Sequence, residues 1–370
     1  VDETLASVIR TDVTILQLAI MSRLGDGNRS MDDIEGESLI ENGKSMKTKV
    51  DEGKTTLCGC RCSHLGIMYA TLSGLFFGIT TVIVKTLSHL HPFQLSFFRL
   101  FSFFVGGGVM CCVNKHKPFP TEHRVDLLAR AVSGFFFTAL DYYAMQHMAV
   151  GDATAIVFSS PVFVAIVARI MLKEALDLVT LTSILLTLIG VVLVSQPTFI
   201  FRYINTSPGE SPNELVGIAA AYGCLALSSL TYVLVRKLRF VHTGVILLNF
   251  GAISVPLNLL VLGLVGRFQI PYSLQEVLLL SALTVFSFLA QTAQILASKL
   301  EKASVVAVGR SSAIIVSFLF QVLWFHDNTT VLDTAGIFLI IMSLVAIAVY
   351  KWKYPNEDVK DPAIQNKIQN

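Results

Sequence analysis

The chain has 370 residues, of which 53% are hydrophobic and 15% charged, and its mean hydropathy is +0.65. This composition is too apolar for a water-soluble protein of that length, so it predicts a polytopic membrane protein. The formal net charge of +2 says little, because the positions of the charges are more informative than their sum. No nucleic-acid partner is predicted.

Residues 1–64 are polar, mixed in charge and without sustained periodicity, which predicts a disordered cytosolic tail. The chain begins at Val1, as a fragment, a processed form or a mis-set start would, and Met21 is a candidate beginning. Cys58, Cys60 and Cys62 lie just before the first apolar run. They are interpreted as unmodified thiols, palmitoylation sites or metal ligands, although no second ligand cluster accompanies them.

The rest of the chain is a series of apolar runs, each near the ~20 residues that a helix needs to cross a bilayer. Ten transmembrane helices are predicted, at 67–87, 93–113, 126–147, 153–172, 178–196, 215–235, 243–265, 275–298, 303–323 and 332–350. The runs are continuously apolar rather than alternating, so we expect an all-α membrane protein.

The outline of residues 141–197 recurs about 150 residues later, in residues 291–350. Each stretch has two spanning runs separated by a charged loop, with Lys173-Glu174 in the first, and Glu174 falls opposite Asp327. Five spans is an odd number, so the second half must be inverted relative to the first, as in many transporters. The predicted parts are tail 1–64, first repeat 65–197, outer loop 198–214, second repeat 215–352 and cytosolic tail 353–370.

The distribution of Lys and Arg predicts the orientation in the membrane. With both termini in the cytosol, the inner segments hold Lys47, Lys49, Lys54, Arg61, Lys115, Lys117, Arg124, Lys173, Arg236, Lys237, Arg239, Lys299, Lys302, Lys351 and Lys353. The outer loops hold only Arg202 and Arg267, as the positive-inside rule requires. The candidate N-glycosylation sites Asn205 and Asn328 also lie in outer loops. The plasma membrane and the endoplasmic reticulum or Golgi are both compatible with this pattern.

Ionisable residues inside the membrane are costly and are therefore candidate functional residues. Arg99 and Asp141 lie roughly 10 Å and 9 Å below the outer surface, which predicts an ion pair with a structural or gating role, or direct substrate binding. Arg310 lies near the midplane with no acid at its depth in its own half. It is interpreted either as the binding group for an anionic substrate or as a residue that reaches Glu301 or Asp141 or caps backbone carbonyls.

Other polar residues within spans have two possible roles each, lining a cavity or bonding a neighbouring helix. Gln291 and Tyr142 are candidates for lining the same cavity, although lone polar residues in a bundle also bond neighbouring helices. Three further cations, Lys85, Arg169 and Arg236, lie near span ends, where they are expected to extend to the interface.

Several residues are expected to shape the helices. Gly74-x-x-x-Gly78 and Gly106-Gly107-Gly108 permit close helix packing, and Pro161 and Pro256 are expected to interrupt or kink helices at mid-membrane. The sequence contains no P-loop, no HExxH and no Ser/His/Asp grouping at a helix end, so neither a catalytic site nor a cofactor is predicted.

The residues just described resemble the drug/metabolite transporter superfamily with its paired EamA repeats. The likeness rests on Pro92, Arg99, Tyr143-Ala144-Met145, Ala153, Pro161, Lys173-Glu174 and Gly190-Val191. It covers about residues 65–352 and is strongest to the G subgroup of the solute carrier 35 family. The second half departs from the pattern, with Ser311 opposite Pro161 and Asp327 in place of Glu. The resemblance implies ten helices, cytosolic termini and transport of small polar or anionic metabolites through a central cavity.

Together these features predict a secondary transporter, either an exchanger or a facilitator, that moves a small organic anion by rocking of its two inverted halves in the lipid bilayer. A second hypothesis is a membrane protein that does not transport and instead regulates or scaffolds a partner through its cytosolic tail. The sequence gives no indication of an oligomeric state.

Overall fold

The computed structural model describes residues 56–115, 117–120, 123–147, 150–174, 176–197, 212–265, 268–269, 271, 273–323 and 330–353. These residues form twelve α-helices and no strand, and they all belong to the unit that spans Glu52–Asn370. The predicted all-α class is therefore confirmed for the described part of the chain.

The helices divide into two sets of six. The first half contains α1 (Thr56–Thr86), α2 (Pro92–Val113), α3 (Arg124–His147), α4 (Val150–Phe158), α5 (Ser160–Met171) and α6 (Leu178–Ser195). The second half contains α7 (Pro212–Lys237), α8 (Thr243–Val265), α9 (Leu274–Leu300), α10 (Ala303–Arg310), α11 (Ser312–Leu323) and α12 (Val331–Lys353). The α4–α5 and α10–α11 pairs each form one broken span, at the same place in each half.

Nine segments of the described chain are long and apolar enough to cross a membrane. The remaining helix, α3, is not among them, and it carries the four charged residues Arg124, Asp126, Arg130 and Asp141. A helix of 24 residues is nevertheless long enough to span, and α3 packs extensively against α7 and α8. With α3 included, the described helices make up the ten predicted spans.

The largest helix–helix interfaces join the two halves. They pair α2 with α8, α1 with α9, α3 with α7 and α6 with α12. Each helix of the first half corresponds to the helix numbered six higher in the second half. When corresponding helices are exchanged, the α1–α9 pair becomes the α7–α3 pair, and the α2–α8 and α6–α12 pairs stay the same. The packing thus has the pseudo-two-fold relation of inverted repeats. The exact repeat boundaries stay predictions.

Glycines allow the closest of these approaches, as predicted. A Cβ on Gly107 would collide with the backbone of Leu248, and one on Gly74 would collide with the Ser312 hydroxyl and the Arg310 carbonyl. Helix α1 therefore lies directly against the break between α10 and α11. The Ser312 hydroxyl also donates a hydrogen bond to the Thr71 carbonyl across this contact (2.9 Å).

The helix breaks agree only in part with the proline positions. Pro161 does mark a break, since α5 begins beside it and proline is favoured in the first turn of a helix. The matching break at Ser311 occurs without any proline. Helix α8 continues through Pro256, so the expected interruption there is wrong. Proline removes one N–H donor, and a helix as long as α8 retains the bonds on either side.

Candidate functional site

A central cavity of about 70 Å³ lies between the two halves, with room for roughly five water-sized groups. Both halves contribute to its walls through charged, amide, hydroxyl and aromatic side chains. The lining residues are Phe77, Arg99, Arg130, Gly134, Phe137, Thr138, Val157, Phe158, Ser160, Ser228, Thr231, Tyr232, Phe250, Gln291, Gln294, Ala307, Arg310 and Ser311. Both span breaks therefore face this cavity.

Arg310 reaches the cavity from the last residue of α10. A cation is favoured at that position because the C-terminal end of a helix carries partial negative charge. Its Nη1 donates a hydrogen bond to Gln294 Oε1 (3.1 Å), and its guanidinium carbon lies 3.9 Å from the centre of the Phe77 ring. These contacts orient the guanidinium without neutralising it, since neither partner carries a negative charge.

Arg130 lies on α3 and is only 3% exposed. Its guanidinium carbon lies 4.4 Å from the centre of the Phe250 ring, and its Nε and Nη1 atoms are buried without a hydrogen-bond acceptor in the described chain. A Cβ at Gly134, one turn along α3, would lie 2.5 Å from Arg130 Nη1 and 2.8 Å from Phe250. The glycine therefore leaves the space that this arginine occupies.

Arg99 completes the set of arginines, but the ion pair predicted between it and Asp141 is not formed. Arg99 Nη2 donates a long hydrogen bond to Thr138 Oγ1 (3.4 Å), while its Nε is buried without an acceptor among the described residues. The Asp141 carboxylate instead lies 3.9 Å from the Cys224 thiol, and no ion pair between described residues joins it to Arg99. Thr138 lies about one turn before Asp141 on α3, and its hydroxyl rather than the Asp141 carboxylate contacts the Arg99 guanidinium.

The remaining predicted site residues differ in whether they line the cavity. Gln291 lines the cavity with Gln294, and its Nε2 is buried without an acceptor among described residues. Asp141 is not among the lining residues. The side chain of Tyr142 lies outside the described part of the structure, as do the side chains of Cys58, Cys60 and Cys62 and the sites Asn205, Asn328 and Asp327.

The charge of the cavity wall is entirely positive. Among the described residues that line it, three are arginines and none is aspartate or glutamate. A buried guanidinium with unused N–H donors is costly unless an anion or water accepts them. The arrangement therefore suits an oxyanion, which can accept two N–H bonds from one guanidinium.

Sequence reasoning missed Arg130, although its spacing carried a signal. Arg130, Gly134, Thr138 and Asp141 follow one another at four, four and three residues, which places them on one face of α3. Three of these four residues line the cavity. A stripe with a cation, a glycine and a hydroxyl on an otherwise apolar helix is therefore the pattern that could have identified the wall.

Arg236 was expected to extend to the membrane surface, and this prediction is wrong. Its Nε donates to Glu174 Oε1 at 2.9 Å, with the two side chains 9% and 7% exposed. Arg169 donates to the Glu174 carbonyl (3.3 Å), whereas Lys85 is exposed as expected. The sequence alone cannot tell a buried, paired cation from an exposed one, because the partner of Arg236 lies in the other half of the chain.

Comparison with known proteins gives relatives over most of this length. The profile of the EamA-like transporter family matches residues 64–196. Solute carrier family 35 member G1 of Homo sapiens is 30% identical over 296 residues, which are 79% of this chain and 80% of that protein. The pseudopaline exporter CntI of Pseudomonas aeruginosa is 25% identical over 287 residues, covering 76% of this chain and 95% of the exporter.

A solved crystal structure is similar in fold, with a TM-score of 0.66 and 15% sequence identity. The match covers 77% of this chain and 96% of the chain in that structure. At this identity the likeness concerns the fold alone.

Proposed function

The chain belongs to the EamA-type drug/metabolite transporters, beside the G subgroup of the solute carrier 35 family, and from this membership we propose that it moves a small organic anion across the membrane. The protein is a multi-pass membrane transporter, and its relatives include proteins named as a solute carrier and an exporter. The anionic substrate and the alternating-access mechanism are the proposal.

The observation that carries the proposal is the cavity wall with Arg99, Arg130 and Arg310 and no carboxylate among its described residues. A cationic substrate would face three guanidinium groups at close range in a medium of low dielectric constant, which is strongly unfavourable. A neutral substrate would leave the unpartnered N–H groups of Arg99 and Arg130 without charge compensation. An organic anion satisfies both requirements.

The inverted arrangement of the halves supports alternating access as the mechanism. The cavity lies between the halves, so rocking one half against the other would open it to either side in turn. Arg310 terminates α10 at the break of its span, so a substrate bound there would contact the point at which the helix direction changes.

The test is uptake into proteoliposomes that contain the purified full chain, with a panel of labelled anionic, neutral and cationic metabolites. We expect saturable uptake of an anion, accelerated by unlabelled anion inside the vesicles. Arg310→Gln should lower uptake by about 10-fold or more, because the variant keeps a polar N–H donor on the side chain and loses the charge.

The matched control is Lys117→Gln, which removes the same charge from an exposed loop and should leave uptake unchanged. Arg310→Lys should restore only part of the activity, since an ammonium lacks the planar two-donor geometry. Saturable uptake of a cation, or full anion uptake by correctly folded Arg310→Gln, would contradict the proposal.

A further inference from the structure

The charged loop between α5 and α6 contains a buried carboxylate. Glu174 is 5% exposed, its Oε1 accepts a bond from Arg236 Nε at 2.9 Å, and its Oε2 accepts one from the Ala303 N–H at 3.2 Å. Three residues on, Asp177 pairs with Lys302 at 3.0 Å. Both acids belong to the first half of the chain and all three donors to the second.

Arg236 extends these contacts to a further helix. Its Nη1 donates to the Ser298 and Lys299 carbonyls at 3.1 Å and 2.9 Å, near the end of α9. The loop of the first half is therefore tied to the end of α7, the end of α9 and the start of α10. These ends lie on the face for which the Lys and Arg distribution predicts a cytosolic position.

This cluster lies directly beneath the cavity. Helix α7 presents Tyr232 to the cavity and Arg236 to the cluster, and α9 does the same with Gln294 and Ser298. Helix α10 repeats the spacing with Ala307 and Ala303. In each case the separation is four residues, or about 6 Å along the helix axis, so the cluster forms the layer between the cavity and this face.

The opposite face has a different kind of closure. There the described links between halves include Gln94, whose side chain bonds the backbone of Gln269, and Gln196, whose amide donates to Asp333. Both use a neutral amide from the first half. That face also has the pair His89–Glu276 (3.5 Å), whose histidine is 52% exposed. Among described residues, ion pairs between the halves with at least one side chain under 10% exposed lie only on the face below the cavity.

We propose that Glu174, Arg236, Asp177 and Lys302 form the inner gate of the transport pathway, and that this gate must separate before the cavity opens to the cytosol. The inference rests on the proposed transport function. Ion pairs suit a gate because their charges are stabilised in both states. They pair with each other when the gate is closed, and water hydrates them when it is open. Helix α10 carries Arg310 at one end and the gate at the other, and links the substrate site to it over eight residues.

The test measures access to the cavity and needs no substrate. Ser228, a buried cavity residue, is changed to cysteine in a full chain whose six native cysteines are replaced by serine. A membrane-impermeant thiol reagent is then applied to the cytosolic side of oriented vesicles and, separately, to the outer side. The rate of labelling from each side reports which way the cavity is open.

We expect slow cytosolic labelling with the intact gate and about 10-fold faster labelling in Glu174→Gln or Lys302→Asp, because either change leaves a charge of the gate unpaired. Exchanging the charges in the double variant Asp177→Lys, Lys302→Asp should return the rate to within about twofold of the parent. The matched control is Lys237→Gln. Lys237 also pairs across the halves, with Asp126 at 2.8 Å, but is 52% exposed, so this loss should change little.

Unchanged cytosolic labelling in both single variants would overturn the gate, and so would equal acceleration from both sides, which indicates general loosening. Failure of the charge exchange to slow labelling would overturn the pairing of Asp177 with Lys302 as part of the gate. Because the readout is independent of uptake, a gate that opens as expected in a protein that transports no anion would count against the proposed function alone.

Discussion

At the scale of residues, the function depends on how Arg99, Arg130, Arg236 and Arg310 are compensated. Arg236 has a carboxylate partner, whereas Arg99, Arg130 and Arg310 have hydroxyl, aromatic or amide neighbours. Desolvation of a guanidinium is costly, and only a full negative charge offsets most of it. Among the described residues, none of these three arginines forms an ion pair with a carboxylate, and all three line the cavity, so the arginines without such a partner are concentrated at the proposed binding site.

Arg130 provides the sharpest test of this interpretation. Arg130→Gln should raise the KM of anion uptake by about 10-fold, since it removes N–H donors that have no acceptor among the described residues and that a bound anion would accept. The measurement is uptake rate against substrate concentration in proteoliposomes. Arg124→Gln, at the exposed start of the same helix, is the control and should leave the KM unchanged. An unaltered KM in the Arg130 variant would remove this residue from the binding site.

At the scale of elements, the two halves fit together because small residues lie where helices cross. The triplet Gly106-Gly107-Gly108 on α2 faces different surroundings at each position. A Cβ on Gly107 would enter the backbone of Leu248 in α8, whereas one on Gly108 would lie 3.8 Å from the Leu248 side chain, at ordinary contact distance. Only Gly107 is therefore required by the α2–α8 interface.

This difference predicts unequal effects of the same substitution. Gly107→Ala should destabilise the protein by about 2 kcal/mol, because backbone atoms of α8 must move away. Gly108→Ala should have no destabilising effect, since alanine favours a helix over glycine and the space is open. The measurement is the melting temperature of each purified variant in detergent. Equal melting temperatures would mean that α2 and α8 do not pack this closely.

Proline content alone does not account for the broken spans. The first break has Pro161 beside it, but the second, at Ser311, has none and is instead packed against Gly74 of α1. Conversely, Pro256 lies within a continuous helix. A break in a membrane helix persists where neighbouring helices accept the exposed backbone groups, and that condition depends on the tertiary contacts.

At the scale of the whole molecule, the Lys and Arg of the loops predict the orientation in the membrane. Expression in cells with a secretory pathway should attach N-linked glycans at Asn205 or Asn328, and Asn205→Gln with Asn328→Gln should remove them. The measurement is the electrophoretic mass before and after glycosidase treatment. A sequon inserted next to Lys117, in a predicted inner loop, serves as the control and should stay unmodified. Modification there, with none at the native sites, would reverse the orientation.

Much of this organisation could be predicted from the sequence because it depends on local properties. Hydrophobic runs of spanning length predicted the helices, and their odd number per repeat predicted the inversion. Arg310, Arg99 and Gln291 were recognised as candidate cavity residues because polar groups at mid-membrane depth are rare and costly. Neither property requires knowledge of which helices are neighbours.

The sequence by itself thus determined that the chain is a doubled helical membrane protein with cations placed inside the bilayer. Only the tertiary structure decided which cations are compensated. Arg236 pairs with Glu174 from the other half, while Arg99 turns to Thr138 rather than to Asp141. The physical reason is that the partner of a buried charge is chosen by the packing of helices distant in sequence, and that packing decides whether an arginine belongs to the gate or to the cavity.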